Sequence, residues 1–582
     1  MRARSKTILS LLTLSAAGLA AHAGAPDALD RVPTEADVVV SIGKIADFLS
    51  DLDQINRLLG DKASPELMFA AAMVRGMPGM NLDGSAVIVV DLPDDPNAGT
   101  EPTGVVLLPV NDFAAFTQGR EPVDGLVEMP FPDQQVFARD LGAGLAALSN
   151  DADAVRAFDA TKGKMKAHAS RLGGAGNRVL DGSEVAILMN ADSMRPYLDA
   201  VIDGMKEQGA MIGIMGGEQA AVGYNTFLSV ITTGLNDLAA GAFGLTVDDN
   251  GMSYDMAMNF TEGSASAAKF AKGGKTEGLI SHLPAGPYMF AMSLDTSSPG
   301  VKQIAQAVHA MTANLPAEMR NQMGMGFGQM SLKDLTELTN GVAFVMGSTP
   351  GLMGGGLFAN TTQYISTDKP GAYRQAMMTL MNETNGKSNE GVTVETSVSP
   401  DAVTIDGVAL TSYGVTFKVD PSAMQGMGAM PIDPTMMMQM MFGPTGGPAG
   451  YLGEVEGGVV QTLTQGPELT KRAIAAAKQG NGLNTNTGLA RVAAALPADR
   501  AAEIYIGVDE ILNAIGPMMM MFGAIPEFEP IDALDPIGLA MTFDDGGFVG
   551  RARIPNATLQ KIMTMIPEDT MNGGDDNDAF DF

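Results

Sequence analysis

Not one of the 582 residues is cysteine, and that absence constrains the fold more than any motif does. Arg2, Arg4 and Lys6 open the chain, Ile8 to Ala21 is an apolar run of small residues, and Ala21-His22-Ala23 supplies the pattern a signal peptidase cuts. The run is too short to span a bilayer. Residues 1–23 therefore read as a secretory signal cleaved after Ala23, and export to the periplasm or the extracellular medium is expected. Exported domains commonly rely on disulfides; this chain must be held by packing alone.

Hydrophobic residues make up 45% of the chain and mean hydropathy is +0.09, which suits a globular protein with more than one core. Acidic residues outnumber basic ones 67 to 36, for a formal net charge of −31. Loss of Arg2, Arg4 and Lys6 makes the mature chain more acidic still. Nucleic acids and anionic headgroups are bound through Lys and Arg, so neither is an expected partner, and no transmembrane segment is expected in the mature chain. Trp is absent, and 43 methionines take over part of the apolar role.

Four landmarks recur in order in the two halves. An entry strand follows a proline: Val38 to Ile42 after Pro33, and Tyr288 to Met292 after Pro284. A strand then runs into a helix: Leu145 to Asp151 before Ala154, Val155 and Phe158, and Val459 to Leu463 before Pro467, Leu469, Ala473 and Ala477. A second strand–helix unit starts at Glu184 in one half and at Glu503 in the other. Last comes a hairpin, turning at Asp248-Asp249-Asn250-Gly251 and at Asp544-Asp545-Gly546-Gly547, where Asn-Gly and Gly-Gly admit the positive φ a tight turn requires. The expected fold is α+β: two divergent repeats, each an antiparallel or mixed sheet packed with helices, plus Met/Gly-rich insertions. The boundaries are signal 1–23, repeat one 24–277, repeat two 278–572 and an acidic disordered tail 573–582. Gly273 to Gly278 reads as a solvated linker, and Pro421–Gly450 and Pro517–Pro536 as the most mobile interior stretches.

Leu496 to Leu512 (LPADRAAEIYIGVDEIL) and Leu145 to Phe158 (LAALSNDADAVRAF) carry a resemblance to a domain-of-unknown-function family of exported bacterial proteins. The resemblance implies export and an α+β repeat, and it brings no established activity or catalytic residue.

Chemistry-bearing patterns are mostly missing. His168, His282 and His309 lie far apart, none at metal-ligand spacing; His168, after Lys164 and Lys166, reads as a histidine on a solvated helix face. No G-x-S-x-G elbow is present. Gly273-Gly274-Lys275-Thr276 ends like a phosphate loop, but Lys269 stands where the leading glycine belongs. Gly142-Ala143-Gly144 formally opens a G-x-G-x-x-A, yet reads as a hairpin turn. Asp248-Asp249-Asn250-Gly251 lacks the remaining ligands of a calcium loop. No catalytic residue, metal ligand or cofactor is expected.

Methionine is the anomaly. Met323, Met325, Met427, Met430, Met436, Met437, Met440, Met441 and Met518, Met519, Met520, Met521 stand among Gly and Pro, in what read as flexible loops or short helices. Unbranched thioethers repack around differently shaped partners, so these residues are the candidate contacts for an apolar ligand or a protein. Two alternatives stay open. Met323-Gly324-Met325 and Met427-Gly428-Ala429-Met430 fit the spacing of periplasmic Cu(I) carriers, and abundant acids leave room for a carboxylate-based hydrolase. The expectation is an exported, non-catalytic binding or scaffold protein.

Overall fold

A computed structural model describes residues 27–565, apart from 61–64, 97–98, 132–133, 272, 277, 314–336, 349–355, 390–391, 420–433, 465, 522, 524–526 and 545. The signal segment and the acidic tail lie outside the described residues. The chain forms two compact units. The first takes residues 1–205, 232–271 and 544–582; the second takes 206–231 and 272–543.

The first unit contains β1 (Val38–Ile42), β2 (Ala86–Asp91), β3 (Thr103–Pro109), β4 (Val127–Phe131), β5 (Gln134–Gly142), β6 (Leu145–Ser149), β7 (Val185–Asn190), β8 (Leu238–Asp248) and β9 (Gly251–Phe260). β1 lies between β2 and β7; β2 leads through β3, β6 and β5 to β4, and β7 leads through β8 to β9. Every one of these pairings is antiparallel. Along them apolar and polar positions alternate or run continuously apolar, and the buried set includes Val39, Val87, Val89, Leu107, Ala147, Ala186 and Leu188.

The second unit is built from β10 (Tyr288–Leu294), β11 (Gly341–Gly347), β12 (Thr361–Ser366), β13 (Ser388–Asn389), β14 (Val392–Ile405), β15 (Val408–Val419), β16 (Ala449–Val455), β17 (Gly458–Leu463), β18 (Ala502–Ile506) and β19 (Ile537–Asp544). β10 pairs with β11 and β18. β11 leads through β12, β17, β16, β15 and β14 to β13, and β18 pairs with β19. Its core gathers Leu283, Ala291, Leu410, Val460, Ile474, Leu489 and Tyr505.

The last strand, β20 (Gly547–Pro555), belongs to the first unit, where it pairs antiparallel with β9 from Gly251 to Asn259. Asp255 on β9 has a fully covered side chain and accepts from Arg551 of β20 at both Nε (2.7 Å) and Nη2 (2.9 Å). This two-point ion pair fixes the register of the two strands.

The α+β content stands, but the expectation of two divergent repeats, each with a sheet of its own, is corrected. The units are not two consecutive stretches of chain: the described pairings are antiparallel throughout, and the chain's end returns as β20 on β9 to complete the first unit. Backbone pairing between segments distant in sequence decides this, and local apolar patterns carry no record of it.

The helices that matter below are α1 (Ile45–Leu59), α2 (Pro65–Gly76), α3 (Met165–Gly182), α4 (Arg195–Asp237), α5 (Pro434–Phe442), α6 (Pro467–Gln479), α7 (Val508–Met521) and α8 (Asn556–Met565). α1 shows how they dock. Ile45, Leu49, Leu52 and Ile55 recur every three or four residues, all are buried, and they meet Ala71, Leu245, Val247 and Met252. Gly60, at φ 56°, ends the helix.

Candidate functional site

Most chemistry-bearing residues of the first unit prove to be structural. His168 is buried on α3, not solvated, with Nε2 3.0 Å from the Val32 carbonyl; burial lowers its pKa. It lines a small cleft with Arg171, Leu188 and Asn190. The histidine reads as surface from its lysine neighbours because the helix turns it inward, away from them. His282, in the second unit, stacks on Tyr364 with ring centroids 4.3 Å apart and meets the Ala477 carbonyl through Nδ1 (2.9 Å). His309 lies where its side chain is outside the described residues. Gly142-Ala143-Gly144 is the turn between β5 and β6, all three at positive φ.

In the phosphate-loop-like stretch Gly274 and Thr276 are buried, while Gly273 and Lys275 are exposed. The Thr276 N–H donates to the Arg500 carbonyl (2.9 Å) and the Lys275 N–H to Asp295 Oδ2 (3.0 Å). A Cβ on Gly274 would come within 2.1 Å of the Ala501 Cα, so only glycine fits there. Among the described residues no group of three or more His, Asp or Glu side chains converges as a metal site.

One pair of acids stands out. Glu184 enters β7 with its backbone held on both sides: its N–H donates to the Leu245 carbonyl (3.2 Å), and its carbonyl accepts from Gly43 (2.8 Å). The residue is 4% exposed. Facing it is Asp51 of α1, on the helix flank that also carries Asp47 and Gln54. As two carboxylates they leave both Glu184 oxygens and Asp51 Oδ2 without a donor. A proton resolves this, because a protonated Glu184 can donate to Asp51. Burial, then the Asp51 charge, pushes Glu184 up to about 10. Burial, with Asp47 and Asp249 adding to it, pushes Asp51 up to about 6, although the hydrogen bond with Glu184 pulls the other way. The pair thus holds one proton at neutral pH. Close by, Asp248 behaves in the opposite sense: burial raises it, but Arg553 and the turn N–H groups of Asn250 and Gly251 outweigh that and hold it below the usual carboxylate range.

The second unit buries an acid differently. Glu503 on β18 accepts from Ser293 Oγ (2.7 Å) and from the Tyr505 hydroxyl (2.7 Å), and Arg500 Nη1 stands 3.3 Å away. Arg500 also donates to the Tyr505 oxygen (3.2 Å). Its charge is answered from three sides. Burial, reinforced by the Glu503 charge, pushes the Tyr505 hydroxyl far up, which keeps it a donor.

The methionines divide. Met323, Met325, Met427 and Met430 lie outside the described residues, as do the side chains of Met437, Met518 and Met521. The others sit on helices, the second of the two settings expected. Met211, 61% exposed, is on the 43-residue helix α4. On α5, Met436 is 56% exposed and Met440 and Met441 are half-buried; the backbone carbonyls of the latter two accept from Leu357 (2.9 Å) and Phe358 (2.8 Å). On α7, Met519 and Met520 are exposed. On α7, Gly516 and Pro517 weaken the helical signal in the sequence, since both residues count against helix interiors.

α7 has a companion that no local pattern announces. The segment 527–536, expected to be mobile, is tied along the helix. Asp509 Oδ2 accepts from the Leu534 N–H (3.0 Å), and Asn513 grips Ile531 twice, donating to its carbonyl (2.9 Å) and accepting from its N–H (2.7 Å). Phe528 lies so close over Gly516 that a Cβ there would fall 2.2 Å from its ring. Arg491 closes the far end with two bonds to Asp535. Asp509, Asn513, Gly516 and Met520 are spaced four, three and four residues apart, one stripe of a helix. The segment covers the first three positions, and Met520 continues the stripe into solvent, with Met519 beside it. Exposed Glu527, Glu529 and Asp532 border the covered part. Chemically this is a pair of exposed thioethers at the open end of a helix whose bound segment exposes three carboxylates.

No family model, no curated protein and no solved structure matches the chain.

Proposed function

We propose that this chain is an exported, non-catalytic binding or scaffold protein whose contacts are made by methionines displayed on helices. The observation that carries the reading is the exposure of Met436 on α5 and of Met519 and Met520 on α7. The cores of both units are packed chiefly with Val, Leu, Ile and Ala, so the exposed thioethers are not spillover from a methionine-filled interior. Methionine on a surface offers apolar area that adapts to a partner's shape, while the acidic surface around it keeps the chain soluble. The buried acids support the same reading. Glu503 is consumed by its own network, and Glu184 sits inside the packing between α1 and β7, with 4% of its surface left for a substrate.

Peroxide oxidation of methionine tests this, because thioethers oxidise according to their exposure. In the purified chain Met436, Met519 and Met520 should oxidise well before buried Met129, Met252 and Met289. In the native exported fraction the same three should be protected severalfold. Equal oxidation in both samples would mean that nothing covers them.

A further inference from the structure

Resting on the reading above, we propose that the α7 stripe docks a cationic amphipathic helical segment of another protein. Between Gly507 and Pro536 the chain carries Asp509, Glu510, Glu527, Glu529, Asp532 and Asp535, and no Lys or Arg. Asp509 and Asp535 spend their oxygens on the Leu534 N–H and on Arg491, holding the 527–536 segment in place. Glu527, Glu529 and Asp532 stay exposed on that segment, and Met519 and Met520 are exposed on the helix to which the segment is bound. The partner's complementary surface is therefore an apolar strip flanked by positive charge, the arrangement a basic amphipathic helix presents.

The other occupants fit less well. A second copy of this chain, at a net charge of −31, would bring like charge to the rim. Anionic headgroups would be repelled by the same carboxylates. A neutral apolar ligand would leave Glu527, Glu529 and Asp532 without a role. The stripe is also preset, because the segment is stapled at Asp509, Asn513 and Gly516 and the helix is ordered before any partner arrives, which lowers the ordering cost of binding.

The test measures binding of three dye-labelled helical peptides of one Leu pattern, with polar faces of Lys, Gln or Glu, to the full chain by fluorescence anisotropy. Phosphatidylcholine vesicles serve as a fourth probe. The Lys peptide should bind at low salt and weaken at least tenfold in 0.5 M salt. Met519→Ser with Met520→Ser should weaken it about tenfold. Glu527→Gln with Glu529→Gln should weaken it and flatten the salt dependence. All four side chains are exposed, so the variants should keep the parent's circular dichroism and thermal midpoint. Methionine-dependent binding of the Gln or Glu peptide, or of vesicles, as tight as that of the Lys peptide would overturn the cationic partner while sparing the methionine reading. Binding of the Lys peptide that ignores the methionine substitutions would overturn both at this stripe, as would no binding of any probe.

Discussion

Replacing Glu503 with Gln should cost the second unit about 3 kcal/mol, a fall in its thermal midpoint of roughly 6–12 °C. The carboxylate accepts from Ser293 and Tyr505 and faces Arg500, whose side chain is itself only 14% exposed. An amide keeps the shape, but it places an N–H₂ where one of three donors now points and leaves a buried guanidinium without its counter-charge. Removing one partner of a buried ion pair is costly for that second reason. Differential scanning calorimetry of E503Q against the parent reads the effect. An unchanged midpoint would show that Arg500 finds water or another acceptor.

Glu184→Gln should do the opposite. Glu184 titrates at about 10 when folded, against an ordinary value of 4.5, so between those pH values the folded chain holds a proton that the unfolded chain has released. Stability from this group is therefore complete below pH 4.5 and drains away as pH rises toward 10, with a limiting slope of about 1.4 kcal/mol per pH unit for one proton. Asp51, raised to about 6, adds to the loss in the same direction as pH rises past 4. Gln donates to the Asp51 carboxylate with no proton to find. E184Q should be roughly 2 kcal/mol more stable than the parent at pH 8 and level with it at pH 4. Thermal midpoints taken from pH 4 to pH 9 check this. A parent curve that rises toward alkaline pH, or an E184Q curve parallel to it, would show that Glu184 is not the group holding the proton.

The two acids illustrate what the sequence makes legible. Each begins a strand and is found from the apolar run after it, and the strands at Val38, Leu145, Val185, Tyr288, Val459 and Ala502 all form. Nothing near Glu184 announces Asp51, which the docking of α1 brings to it, and nothing near Glu503 announces Ser293, which antiparallel pairing of β10 with β18 sets opposite it. His168 is misread for the same reason: lysines beside it in sequence point outward while the helix face it shares turns in. The methionine clusters are visible as composition, but the choice between loop and short helix is not, since Gly516-Pro517 argues locally for a loop. Tertiary hydrogen bonds from Asp509 and Asn513 to the returning segment support α7 where intrinsic propensity does not. The pairing of β20 with β9 lies beyond local pattern altogether.

The most direct test is the native mass of the full chain purified from its own source, for the parent and for the Met519→Ser, Met520→Ser variant. The account predicts a bound basic polypeptide on the parent, stripped by raised salt and absent from the variant. A bare chain in both, or a copper adduct indifferent to the two substitutions, would contradict it.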